Sequence, residues 1–192
     1  MTRSWKLILI LLSGLIAGLF GSFFTDIPGF QYLLLASVYF LTFVVGMAIT
    51  TAIHETGHIS KLDELGFAAE NFVAHRVGNV SFRIIDAEKL TTEQCYEIAK
   101  APFVKAGQYF AQVFLLGLLI IINWYSPFPL NIALGVFSAL EGLQQMASFC
   151  VYFVIRTERF SGLCVKLSQS TSRGDVHDII TWNRELQDQT GN

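Results

Sequence analysis

The chain has 192 residues, of which 53% are hydrophobic and 15% charged, with a formal net charge of -2. A soluble domain carries about a quarter charged residues, so the composition predicts a small integral membrane protein. Near-neutral charge offers no basic surface for nucleic acid, and the three cysteines (Cys95, Cys150, Cys164) form no C-x-x-C pair, which argues against a disulfide framework or a cysteine zinc site.

In chain order, the first feature is a short basic start with Arg3 and Lys6, followed by an apolar run from Leu7 to Phe24 that is long enough to cross a bilayer. A cleaved signal peptide shares those two features, but no small-x-small cleavage site follows, so a retained helix is the preferred reading. Within the run Gly14 and Gly18 form a G-x-x-x-G, which permits close helix approach. Asp26, Pro28 and Gly29 make a turn composition, after which a second span is expected over 31–54.

That second span runs directly into Ala52-Ile53-His54-Glu55-Thr56-Gly57-His58, an H-E-x-x-H stretch. On a helix, residues four apart share a face, so His54 and His58 can offer two imidazole nitrogens to one ion. Glu55, beside the first ligand, is placed to act as the general base. Zinc is the expected ion, and it would lower the pKa of a bound water towards neutrality. Ionisable groups at membrane depth are costly and are usually functional.

Beyond His58 the chain turns polar. Gly66 is a plausible helix stop. The segment from Asn71 to Ile85, with Gly78-Asn79 between β-prone runs, reads as a small hairpin, and His75 within it as a surface residue. A hairpin beside a protease site could pair with an extended substrate by strand addition. Thr91 to Lys100 reads as a short helix capped by Thr91 or Thr92. A third span is expected over 103–123, with Gln108 and Gln112 one turn apart on an inward face. The aromatic turn Trp124–Pro129 suits the headgroup level. A fourth span is expected over 130–155, carrying Glu141, Gln144 and Gln145. All thirteen Lys and Arg residues fall in the start, the middle segment and the tail. With four spans these three segments share one side, which the positive-inside rule makes the cytoplasm. The expected organisation is thus a four-span domain over 1–156 and a cytoplasmic tail over 157–192. In that tail Asp175 opens an amphipathic helix with Val176, Ile179, Ile180 and Trp182 on its apolar stripe. The fold class is an all-α multi-pass membrane protein with a cytoplasmic β-hairpin insertion. Its expected location is a cell membrane, taken as bacterial, with both termini in the cytoplasm.

The H-E-x-G-H stretch on a membrane helix, the following Leu65-Gly66-Phe67, the hairpin-like segment and Pro102 entering the next span together resemble the site-2 protease family of intramembrane zinc metalloproteases (M50-type peptidases), of which this chain looks like a small divergent member. The likeness covers roughly residues 40 to 125. It implies a zinc site within the membrane and hydrolysis of peptide bonds in membrane protein or peptide substrates. It also implies a third ligand from an Asp-Gly motif near or after the third core helix. This chain contains no Asp-Gly. Two carboxylates are candidates in its place. Asp175, in Ser172-Arg173-Gly174-Asp175-Val176-His177, resembles the late motif of small members but is also a good helix N-cap. Glu141, in Leu140-Glu141-Gly142, looks like Leu-Asp-Gly with glutamate for aspartate, and could instead be a buried glutamate bonded to another helix through Gln108 or Gln112. Asp175 is placed ahead of Glu141 because short members of the family end soon after their aspartate motif, and His177 is a further donor. The expected set is therefore His54, His58 and Asp175 on zinc with Glu55 as the catalytic base. The alternatives are a non-catalytic membrane scaffold of the same family, and a small transporter with Glu141, Gln144 and Gln145 as its polar path.

Overall fold

The computed structural model describes residues 3–24, 28–76, 79–104, 107–157 and 174–190. It is mostly helical, with α1 (Arg3–Phe24), α2 (Pro28–Glu64), β1 (Ala69–Arg76), β2 (Asn79–Ile84), a 3-10 turn (Ala87–Lys89), α3 (Thr92–Val104), α4 (Gly107–Trp124), α5 (Leu130–Thr157) and α6 (Asp175–Thr190) in order. The two strands pair as one small antiparallel sheet. Two helical stretches, Gly29–Glu64 and Thr92–Trp124, are long and apolar enough to cross a membrane, and a shorter apolar helix covers Leu9–Phe23. The turn around Asp26, the Gly78 turn of the hairpin, the side chain of His75, and Ser172-Arg173 lie outside the described residues.

Local chemistry explains the helix ends. α2 stops at a Schellman motif: Gly66 adopts φ 79, its N–H donates to Asp63 O at 3.1 Å, and Phe67 N–H donates to Leu62 O at 2.9 Å. Glycine takes that left-handed position without a Cβ penalty. α3 opens on a capping box, with Gln94 N–H donating to Thr91 Oγ1 at 3.2 Å and Thr91 N–H to Gln94 Oε1 at 2.9 Å. The expected end of this helix at Lys100 is corrected, because α3 continues through Pro102 to Val104.

The described residues form two compact units. One comprises Met1–Thr51, Ala74–Asn79 and Tyr109–Ala147, the other Ala52–Val73, Val80–Gln108 and Ser148–Asn192. In the first unit α1 and α2 meet at the glycines of the G-x-x-x-G. A Cβ on Gly18 would stand 2.7 Å from the Leu34 backbone, so that position accepts no side chain without moving a helix, while one on Gly14 would meet only the rotatable Ser37 Oγ, at 2.6 Å. The core of this unit is Tyr39, Leu115, Leu119 and Leu134. The Tyr39 hydroxyl is satisfied by Ser138 Oγ at 2.9 Å. Glu141 is buried here, and Gln145 Nε2 donates to it at 2.5 Å. This partner lies on the same helix as Glu141, where i and i+4 are neighbours. In the second unit α6 packs on α3, with Ile179 wholly buried.

Candidate metal centre

His54 and His58 lie on α2 within the second unit, on one face as their spacing requires, with ring centroids 5.0 Å apart. Asp175 reaches them from the first residue of α6. Its Oδ2 is 2.8 Å from His54 Nε2 and 3.5 Å from His58 Nε2. The three donor atoms lie within 4.8 Å of one another, a grouping that could hold a metal ion. Zinc–ligand bonds of about 2.0–2.2 Å in a tetrahedron set neighbouring donors roughly 3.4 Å apart, a value that the two Asp175 contacts bracket.

Asp175 is free for this role because the helix cap falls elsewhere. Asp178 N–H donates to Gly174 O at 3.1 Å, so Gly174, with φ 118, occupies the cap position. The N-cap reading of Asp175 is thereby corrected: its carboxylate points to the histidines. Glu141, the other candidate, belongs to the first unit and is not part of the group. His177 sits in the first turn of α6, and it too is outside the group.

The remaining ring nitrogens decide what the group can do. His58 Nδ1 donates to the main-chain carbonyl of Ile98 at 2.8 Å. A carbonyl can only accept, so the proton of a neutral His58 sits on Nδ1 and the Nε2 lone pair faces Asp175. His54 Nδ1 likewise meets Gln108 Oε1 at 3.0 Å. Two lone pairs and a carboxylate oxygen then converge on one point, and acceptors that face each other need a cation between them. That is the donor chemistry of a zinc site with oriented histidines. Without a metal the same geometry is met by protons. Burial works against the Asp175 charge, but hydrogen bonds from His54 and His58 outweigh it and hold the carboxyl well below the usual carboxylate range.

The Ile98 carbonyl is available because of Pro102. Proline has no N–H to donate to the carbonyl four residues back, and Ile98 stands four residues before Pro102 in α3. The proline that was expected to mark a helix boundary instead exposes an acceptor in mid-helix. Gly57 completes the arrangement. A Cβ there would stand 2.7 Å from Pro102 Cα, so only glycine between the two histidines lets α3 come close enough to present Ile98. We expect Pro102→Ala to have effects of opposite sign. The helix should become more stable by up to about 3 kcal/mol, while a restored N–H competes for the Ile98 carbonyl and weakens zinc about tenfold. Thermal unfolding and a chelator competition on the same sample would check both. A gain in both quantities would contradict the role given to Ile98.

Glu55 is half-buried and close enough to His58, His54 and Asp175 to interact electrostatically with each. Phe82 of β2 lies 6.1 Å from the His58 ring and Phe103 of α3 lies 5.4 Å from the His54 ring, giving the group aromatic walls. Sequence reasoning missed the Ile98 carbonyl and Tyr152, which accepts a hydrogen bond from Gln108 Nε2. For Ile98 a signal existed, a proline four residues later in a helix. For Tyr152 none did. No protein-family model, curated protein or solved structure matches the chain.

Proposed function

We propose that the chain is a membrane-embedded zinc metalloprotease that hydrolyses peptide bonds of membrane-associated substrates. The observation that carries this reading is the convergence of His54 Nε2, His58 Nε2 and Asp175 Oδ2 next to Glu55. Two imidazoles, one carboxylate and an adjacent glutamate form the donor set and base of zinc hydrolases. Zinc supplies Lewis acidity, which brings the pKa of water near neutrality and polarises a carbonyl. Glu55 takes a proton from the attacking water and returns it to the leaving amine. With Nδ1–H held by Ile98 O and Gln108 Oε1, His58 and His54 would present their Nε2 lone pairs to such an ion. A substrate helix must unwind to offer its carbonyl, since helical carbonyls are already bonded. The edge of the β1–β2 hairpin is suited to hold the unwound segment as a further strand.

The membrane part of the proposal, four spans with both termini on the cytoplasmic side, draws on the apolar surface. Side chains such as Phe20, Phe23, Phe110, Phe114, Leu143 and Met146 are exposed, which suits lipid and is costly in water. Trp124, Tyr125 and Phe128 are exposed where α4 ends and α5 begins, as an interfacial belt requires.

Elemental analysis of detergent-purified protein tests the reading. We expect about one zinc per chain in the wild type, lost in His54→Ala and in Asp175→Ala and retained in Glu141→Ala. Folded wild-type protein without metal, after zinc is supplied, would leave a non-catalytic scaffold.

A further inference from the structure

The two histidines are oriented by different kinds of group, and the difference has a consequence. His58 is held by a main-chain carbonyl, which can only accept. His54 is held by the side chain of Gln108, whose carboxamide carries an acceptor and a donor at nearly the same place. With Oε1 towards the ring, Nδ1 of His54 carries the proton and Nε2 is free for a metal. With the amide reversed, Nε2 of Gln108 would donate to Nδ1. The His54 proton would then move to the nitrogen that faces Asp175, and the ring could not ligate. In the structure Gln108 is buried, Oε1 faces His54, and Nε2 donates to the Tyr152 hydroxyl on α5. The Tyr152 ring packs on Phe103 at 4.7 Å between centroids, and Phe103 packs on His54. All four residues belong to the second unit.

Resting on the metal reading above, we infer that Gln108 is a positioning residue whose Oε1, accepting from Nδ1, holds His54 in the metal-competent tautomer. Gln108 touches no reacting atom in this scheme. It controls the centre through the far nitrogen of a ligand, and such partners typically change metal affinity by about 10–100-fold. Because an amide can be reversed at little cost whereas a carbonyl cannot, His54 is the adjustable ligand of the centre and His58 the fixed one.

The test is cobalt(II) binding at pH 8 to the full chain in detergent, read by its visible absorption and by chelator competition. The variants are Gln108→Leu and Gln108→Glu. A carboxylate at 108 can only accept, so it enforces the competent tautomer without help. We expect Gln108→Leu to bind about 10–100-fold more weakly and Gln108→Glu to bind at least as tightly as wild type. Leu and Glu variants that bind alike would overturn the inference. If the wild type itself binds no cobalt, the metal reading falls and this inference falls with it. If the wild type binds and the variants do not separate, the inference fails alone.

Discussion

Glu55→Gln is expected to keep zinc at wild-type stoichiometry and to lose hydrolysis of a membrane peptide by about 10²–10⁴-fold. The three donor atoms come from His54, His58 and Asp175, not from residue 55. The amide of glutamine is close in size to the carboxylate, so the half-buried site need not repack. What disappears is the group that can accept a proton from water at neutral pH. Matched elemental analysis and a cleavage assay on the same preparation separate the two effects. Loss of zinc together with activity would make residue 55 a ligand or a packing residue. Undiminished hydrolysis would remove it from the mechanism.

The second large effect is expected from a residue that touches neither metal nor substrate. Ile179→Asp should abolish zinc binding as completely as Asp175→Ala. Ile179 is wholly buried where α6 packs on α3. It is one of only a few apolar residues holding a 16-residue helix in place, and full burial of such a side chain is worth about 1.5–3 kcal/mol. A carboxylate there forfeits that gain and adds a desolvation cost of several kcal/mol with no partner. The helix should leave α3 and take Asp175 with it. Ile179→Val, which keeps the contact, should bind zinc normally. Metal analysis of the pair, with helix content by circular dichroism, checks the link. Full zinc in Ile179→Asp would mean that α6 is held by something other than its buried stripe.

Much of this arrangement is written locally. The H-E-x-x-H face, the glycine stop at Gly66, the Thr91–Gln94 box and the paired strands all follow from residues within a few positions of one another, where spacing and capping chemistry decide the outcome. The choice between Asp175 and Glu141 does not. Both sit in similar local patterns, and only the docking of α6 on α3 separates them, through contacts between segments far apart in the sequence. The Ile98 carbonyl is hidden for another reason: main-chain groups have no letter in a sequence, and Pro102 reads as a boundary until the helix is seen to pass through it. Gln108 could be suspected from its inward face, but its partner Tyr152 comes from 44 residues away and no periodicity points to it.

Asp175 and His54 are 121 residues apart, which gives the centre a place in time. Synthesis at about 5–20 residues per second puts roughly 6–24 s between the emergence of the histidines and that of the carboxylate. Throughout that interval the growing chain carries both imidazoles and Glu55, but the group that could close on a metal is incomplete. Placing the third donor on a helix so far downstream means that the group cannot close until the 121 residues that separate it from His54 have been made.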